Sequence, residues 1–516
     1  MAEESRTTKS IRNMLLAFSE QLVYSVMTFA CRTVFIYTLG KNYLGFNGIF
    51  TDILTFLSLA ELGVGTSIIY SMYQPAARHD YRMVAALLNL YKKIYHIIGT
   101  VVFIIGLCLT PFLEFFISDM PDIPELPVIY LLYLLNTTIS YFFIYKKSIL
   151  ITDQKNYIAS IIYVITVFIQ NLLQIIFLLF THNYIIYLII HVCCTIGNNT
   201  AVSLYVDRHY SYLRQYRNEK IDSESKRKIY TNVKAMFVSK ISSAVVSSTD
   251  SLLISKFVST IILGMYSNYT LFVTMLRSVV GKFFEALTGS VGNMIAIESH
   301  DKIYDTFRKI WFVNYWIISF SCAVLFSLVN LFIELWAGEE YLLEQKVVFV
   351  ICLNLYMRLI RNTFLTFLDT YGLFVELKIK SIAEAGINLA VSLIFVLFLD
   401  MGIYGVLLGT FVSNITTNFW YEPYLLFKKK FKINMYVYFK LFLKYFLVMS
   451  VSSAVFYYIC NCIFTVNNWA TFIVKGLICC IGINLFYICV YFRTKEFRYF
   501  VSLIMKKCKR KYKENL

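Results

Sequence analysis

Charge is scarce in this sequence. Only 15% of its 516 residues are Asp, Glu, Lys or Arg, against about 25% in a soluble domain. Proline (6 residues) and glycine (20) are also sparse, so little interrupts the apolar runs. The longest polar stretches are Asp207–Lys228 and the tail after Tyr491, which leaves no room for a soluble catalytic domain. Enzyme signatures are missing too. There is no GxxxxGK followed by Ser or Thr, no HExxH and no GxSxG, and the absent P-loop argues against direct ATP hydrolysis. The six histidines are scattered, so neither a metal site nor a cofactor is expected. No CxxC pair occurs among the twelve cysteines. Most of these lie inside apolar runs, as Cys193-Cys194 and Cys479-Cys480 do, and read as small apolar fillers. Cys460 and Cys462 fall near an expected outer surface, but a CxC spacing says little about metal or redox work. The N-terminus lacks the form of a cleavable signal, because Glu20 and Arg32 interrupt its first apolar run.

What remains is hydrophobic: 58% of the chain, with 40 Tyr and 45 Phe. Apolar runs of about 20 residues recur along the whole length, the mark of a polytopic membrane protein. We place fourteen spans at 13–39, 45–72, 87–116, 127–146, 156–180, 184–206, 230–257, 260–284, 309–335, 346–370, 378–399, 402–427, 439–463 and 469–492. The aromatic residues suit interfacial belts and core packing.

The net charge of +17 does not point to nucleic acid, because the positive residues fall in alternate loops. Arg78, Arg82, Lys92 and Lys93 follow the second span, Lys146, Lys147 and Lys155 the fourth, and Arg208, Arg214 and Arg217 the sixth. Lys302, Arg308 and Lys309 follow the eighth, Lys378 and Lys380 the tenth, and Lys428 to Lys432 the twelfth. The intervening loops are acidic or neutral, with Asp119, Asp122 and Glu125 in one and Glu339, Glu340 and Glu344 in another. The positive-inside rule then puts both termini in the cytoplasm.

The chain is organised around Ile11 to Gly45. Within it Gln21, Ser25, Thr28 and Arg32 share one helix face. A shift of 219 turns this stripe into Lys240, Ala244, Ser247 and Ser251, and carries Leu44-Gly45 onto Leu263-Gly264. Further matches follow in order with a slowly drifting offset: Leu135-Asn136 with Leu353-Asn354, and Ile176–Phe180 with Ile394–Phe398, both at 218. Each half holds six spans, an even number, so the copies have the same orientation; parallel repeats of this kind are one transporter plan. The domains follow: an N-lobe at 1–206, a basic cytoplasmic linker at 207–229, a C-lobe at 230–427, two further spans within 428–492, and a basic tail at 493–516. Two segments in matching places, Pro75–Tyr95 and Lys282–Tyr304, read as amphipathic surface helices.

Charges within spans are costly and usually face a bundle interior or a wet cavity. The basic set is Arg32, Lys240, Arg277, Arg358 and Arg361. Arg277 shares a stripe with Thr270, Thr274 and Gly281, whose copy is Thr51, Thr55, Ser58 and Leu62. Arg358 and Arg361 share one with Asn354, whose copy is Asn136, Ser140 and Phe143. The halves repeat the polar face but not the charge. An arginine fork suits phosphate oxygens, which makes this set the candidate for an anionic ligand. Structural pairing with Glu20, Asp52, Glu61 or Asp250, or snorkelling to a surface, is the other reading. Asp250 leads the candidates for binding a coupling proton or cation, with Glu20 and Glu61 beside it.

The stretches RTVFIYTLGKNYLGFNGIF at 32–50, TSIIYSMYQPAARHD at 66–80 and DSLLISKFVSTIILGMYSNY at 250–269 resemble polysaccharide-unit flippases of the Wzx type, in the MOP exporter superfamily that also holds MATE drug exporters and the lipid II flippase MurJ. The resemblance implies two six-helix lobes around a central cleft lined by the first, second, seventh and eighth spans. It implies an all-α integral membrane protein, not an enzyme, that exports an undecaprenyl-diphosphate-linked oligosaccharide across the cytoplasmic membrane for surface polysaccharide assembly. Its partners would be that lipid-linked oligosaccharide, membrane lipids, an H+ or Na+ coupling ion and a glycan polymerase, with no nucleic acid. A cation-coupled multidrug exporter of the same fold, and a membrane glycan polymerase or acyltransferase, are the alternatives.

Overall fold

Inside a bilayer a backbone has no water to bond to, so a spanning segment must satisfy its own N–H and C=O groups as a helix or in a closed barrel. The computed structural model describes residues 6–58, 64–116, 125–153, 155–222, 227, 248–463, 466–502 and 505, and contains no strand among them. Each expected span has a helix at its place, the seventh being described only over 248–257. Among the described residues nine helices are long and apolar enough to cross a bilayer. A tenth follows if the pair bent by 43° in the fourth span counts as one. The protein is a multi-pass all-α membrane protein.

The first half runs α1 (Arg6–Leu57), α2 (Val64–Ala77), α3 (Tyr81–Leu109), α4 (Leu113–Phe116), α5 (Leu126–Tyr141), α6 (Ile144–Thr152), α7 (Asn156–Thr181), α8 (Tyr184–His209) and the short α9 (Tyr212–Gln215). The second half runs α10 (248–257), α11 (Thr260–Ile297), α12 (His300–Ala337), α13 (Gln345–Ile360), α14 (Asn362–Thr370), α15 (Phe374–Leu397), α16 (Gly402–Ser413) and α17 (Phe419–Tyr424). The last two spans are α18 (Met435–Ile463) and α19 (Trp469–Tyr491), and α20 (495–502) begins the tail.

The internal repeat is visible in where helices stop. α1 breaks at Gly40 (φ 75°), and 219 residues on lies Ser259, between α10 and α11. Asp80 caps α3 and accepts from Met83 N at 3.0 Å; its copy Ser299 stands at the N-terminus of α12. The bend at 142–143 has its counterpart at Arg361, between α13 and α14, 218 residues after Phe143. α7 starts at Asn156 and α15 at Phe374, again 218 apart. His182 (φ 51°) and Asp400 (φ 48°) are left-handed residues at the same offset, each just before the next helix. A left-handed non-glycine residue is uncommon, so its recurrence in register is a specific mark of common architecture.

The two expected surface helices are not separate elements. α11 and α12 have 38 residues each, about 57 Å at 1.5 Å per residue, far beyond a hydrocarbon core of about 30 Å. Lys282–Tyr304 is the end of one and the start of the other, around a turn at 298–299. Pro75–Tyr95 likewise joins α2 to α3 around a turn at 78–80. The amphipathic signal is that of span helices leaving the membrane.

By packing, the chain forms two units: residues 1–271 with 381–409, and residues 272–380 with 410–516. In the first unit a buried cluster on α2, α3, α5 and α8 includes Ile68, Leu87, Tyr95, Tyr141 and Val206. A Cβ at Gly65 would lie 2.6 Å from the Tyr91 hydroxyl and 2.7 Å from that of Tyr95. In the second unit Trp311 stacks on Tyr438 at 5.7 Å, and Tyr315 on Tyr445 at 4.0 Å. Lipid tails are as apolar as these side chains, so packing contacts hold them together more than any escape from water does.

α15 and α16 meet just as tightly. A Cβ at Gly409 would overlap the Ser392 hydroxyl and lie 2.7 Å from the Ser392 backbone nitrogen. Gly409→Ala should therefore destabilise the protein by about 1–3 kcal/mol through overpacking. Gly197→Ala, where a Cβ meets nothing within 4 Å, should be neutral or slightly stabilising. Thermal melting of both variants in detergent checks this, and equal melting of the two would contradict it.

Candidate functional site

Two polar clusters stand out, one in each unit. In the first, the faces of the first, second, seventh and eighth spans meet. Arg32 on α1 donates from Nε to Asn268 Oδ1 at 3.2 Å and from Nη2 to the same oxygen at 3.1 Å. Its Nη2 also donates to the Ser267 hydroxyl. Both acceptors belong to α11. Asn268 is fully buried, and its Nδ2 has no hydrogen-bond partner among the described residues. Asp52, in the second span, is hydrogen-bonded to Ser251 of α10. Ser251 is the repeat copy of Arg32. A Cβ at Gly45 would overlap the Thr260 carbonyl oxygen, and one at Gly48 would touch Leu263 at 3.5 Å. Small residues thus let the start of the second span approach the start of the eighth. Behind Arg32, Cys31 donates to Gln174 Oε1 at 3.8 Å, and Gln174 donates to the Tyr187 carbonyl at 3.1 Å.

The second cluster is a buried ion network. Glu422 on α17 is fully buried. Arg361 grips it with both ends of its fork, Nε to Oε2 at 2.9 Å and Nη2 to Oε1 at 2.6 Å. Lys380 Nζ, on α15, donates to Glu422 Oε1 at 2.9 Å and to Asn418 Oδ1 at 2.5 Å. Asn418 in turn donates to Asn414 Oδ1 at 2.8 Å, which also accepts from Arg361 Nη1 at 3.3 Å. The side chains of Lys380 and Arg361 are 7% and 17% exposed. Two π-helical turns, Asn414–Asn418 and Leu425–Lys430, flank α17; such turns often occur at functional sites. Pro423 lies within the helix and cannot donate to the carbonyl four residues earlier. That carbonyl, of Phe419, accepts from the Tyr438 hydroxyl at 2.7 Å instead.

The other candidates fall as follows. Arg277 on α11 is half-buried, while its neighbours Thr274 and Gly281 are exposed. The copy stripe is also accessible at Thr51 and Thr55. Arg358 is exposed, so the stripe it shares with Arg361 does not bring the two into one environment. Asp250 is half-buried on α10. Lys240, Glu61 and the side chain of Glu20 lie outside the described residues.

Lys380 requires a correction. It reads in the sequence as a loop charge after the tenth span, but it is buried inside α15. Arg361 is paired with Glu422, an acid the sequence reading did not single out. The missed signal was present: Asn414, Asn418 and Glu422 recur every four residues, a polar stripe of the kind that singles out Arg32.

No protein-family model matches the sequence, and no match was found among curated proteins. Solved structures do match. The lipid II flippase MurJ, in an inward closed conformation, aligns over 94% of this chain and 99% of its own, with a TM-score of 0.63 and 17% identity. An inward-facing multidrug resistance MATE transporter of the MOP superfamily aligns over 78% of this chain and 95% of its own, with a TM-score of 0.60 and 12% identity. A MOP superfamily transporter from Pyrococcus furiosus, described as having a binding pocket of reversed polarity, aligns over 79% of this chain and 91% of its own (TM-score 0.55, 13% identity). The fold is that of the MOP superfamily transporters.

Within this MOP fold the Glu422 network can be tested directly. Glu422→Ala would leave two buried cations without their shared counter-charge, a change that costs about 3–5 kcal/mol. Folded yield by size-exclusion chromatography in detergent should fall sharply, and exchanging Arg361, Lys380 and Glu422 together for Met should recover most of it. A wild-type melting temperature for Glu422→Ala would contradict the network's structural role.

Proposed function

We propose that the protein is a Wzx-type flippase. It exports an undecaprenyl-diphosphate-linked oligosaccharide unit across the cytoplasmic membrane for surface polysaccharide assembly, by alternating access. The observation that carries this reading is the likeness to a lipid II flippase over 94% of the chain. The remaining 6% is shorter than the last two spans, 435–491, so that likeness reaches into a region beyond the twelve-span repeat. MATE structures align over only about four-fifths of the chain.

The chemistry supports the same substrate. A polyprenyl tail can stay in lipid while its diphosphate and sugars cross, which calls for cationic and hydrogen-bond-donating groups within the spans. Arg32 and Asn268 Nδ2, which has no partner among the described residues, are donors gathered in one place. We assign Arg32 and Arg277 as the principal diphosphate contacts, with Arg358 and Lys240 in the same set. Arg361 would join them only by leaving Glu422. The protein acts as a transporter and not an enzyme, without a cofactor, and both termini face the cytoplasm as the alternating loop charge indicates. A glycan polymerase is the expected functional partner. Coupling to H+ or Na+ falls first to Asp250, with Glu20 and Glu61 as the other acids.

Deleting the gene should make a lipid-linked glycan accumulate on the cytoplasmic leaflet, and its absence would reject the reading. For Arg277, export should be lost in Arg277→Ala and partly retained in Arg277→Lys, with both proteins reaching the membrane in normal amount. Normal export by a well-expressed Arg277→Ala protein would remove it from the site. Asp250→Asn should uncouple export from the ion gradient while leaving the folded amount unchanged. Gradient-dependent export by that variant would exclude Asp250 as the coupling group.

A further inference from the structure

The last two spans pack as an antiparallel pair with a regular ladder. Ser452 Oγ and the Tyr487 hydroxyl lie 3.0 Å apart. One turn along each helix, a Cβ at Gly482 would overlap the Phe456 ring, so the backbone of α19 runs close against α18. One turn further, the Cys460 and Cys479 sulfurs lie 3.4 Å apart. The rungs fall at 452, 456 and 460 on one helix and at 487, 482 and 479 on the other. A single register therefore places the two thiols opposite each other.

Both cysteines are free thiols, and they are 1% and 0% exposed. Side chains from three helices surround them. Ser327 of α12 is hydrogen-bonded to Cys479. Lys475, a buried lysine one turn before Cys479, lies within electrostatic reach of Cys460. A basic side chain near a cysteine favours the thiolate that reacts. Neither residue belongs to the polar clusters that the proposed function uses.

We propose that Cys460 and Cys479 are a redox-active pair that closes to a disulfide and staples the last two spans together. The oxidant is a disulfide, by thiol–disulfide exchange. The Cys460 thiolate attacks one sulfur of the oxidant, forming a mixed disulfide and expelling the first thiolate. The Cys479 sulfur, after giving up its proton, attacks the Cys460 sulfur and expels the second thiolate. Two protein thiols are oxidised, one external disulfide is reduced to two thiols, and the two protons end on the leaving groups. Cys460 is within one turn of the end of α18, where local fraying admits the reagent.

The test treats the full-length protein, in native membranes, with the membrane-permeant aromatic disulfide dithiodipyridine. The protein is then denatured, its remaining thiols are alkylated, and non-reduced peptides are mapped by mass spectrometry. The expected product is a cross-linked peptide containing Cys460 and Cys479, with no retained pyridyl label on either, reversible by a thiol reductant. Cys479→Ala should instead trap a stable pyridyl mixed disulfide on Cys460. A wild-type protein that keeps the pyridyl group on Cys460 while Cys479 is alkylated would overturn the proposal. So would recovery of both as alkylated thiols in a sample where the exposed Cys462 and Cys480 have reacted.

Discussion

A carboxylate in an apolar interior is tolerable only with its charge and its lone pairs satisfied together. Glu422 meets that condition by drawing on three spans: Arg361 where α13 meets α14, Lys380 on α15, and the asparagines of its own helix. The remaining local features follow from placing it there. Asn418 takes the second contact of Lys380, Asn414 takes the third nitrogen of Arg361, and Tyr438 takes the carbonyl that Pro423 leaves open. The π-helical turn at Asn414–Asn418 adds a residue to the turn, which sets where those asparagines point relative to Glu422. Buried ion pairs often add little net stability over an apolar replacement. Here the network joins faces of three spans through one carboxylate.

The two halves of the chain share breaks more faithfully than side chains. The left-handed residues His182 and Asp400 differ in chemistry but match in backbone and in offset. At the bend of the fourth and tenth spans, Phe143 stands where Arg361 stands. A bend frees backbone groups and opens helix packing, so it is a natural place to seat a bulky side chain. One half seats an aromatic ring there, the other a guanidinium that needs a buried acid. The repeat supplies a frame, and the charge pattern differs between the halves on it.

This explains what could be read from the chain alone. Span positions and the repeat depend on long apolar runs and on turns between them, both local in sequence, so α7, α8 and α19 fall within a few residues of expectation. The stripe logic also found Arg32, whose partners Ser267 and Asn268 lie on the eighth span, the repeat copy of the second. Lys380 was misread because a basic residue near a span end is ordinarily a loop charge, and only its burial against Glu422, 42 residues away, says otherwise. The surface-helix reading failed for a related reason. Hydrophobic periodicity reports which face of a helix is apolar, not whether the helix is continuous with its neighbour, and α11 and α12 simply run on past the membrane.

The candidate arginines consequently differ in kind. Arg361 has both ends of its fork on a carboxylate, so an incoming phosphate would have to compete with an ion pair already formed at about 3 Å. Arg32 donates to an amide and a hydroxyl, acceptors that carry only partial charge. Asn268 makes the contrast sharper, because its carbonyl oxygen is engaged by Arg32 while its amide hydrogens have no acceptor among the described residues. An anion arriving beside Arg32 would meet the guanidinium and this buried amide donor together. The same anion at Arg361 would have to strip a buried glutamate of its partner. The glutamate grip on Arg361 thus makes the second-unit cluster the costlier of the two for an anion to enter.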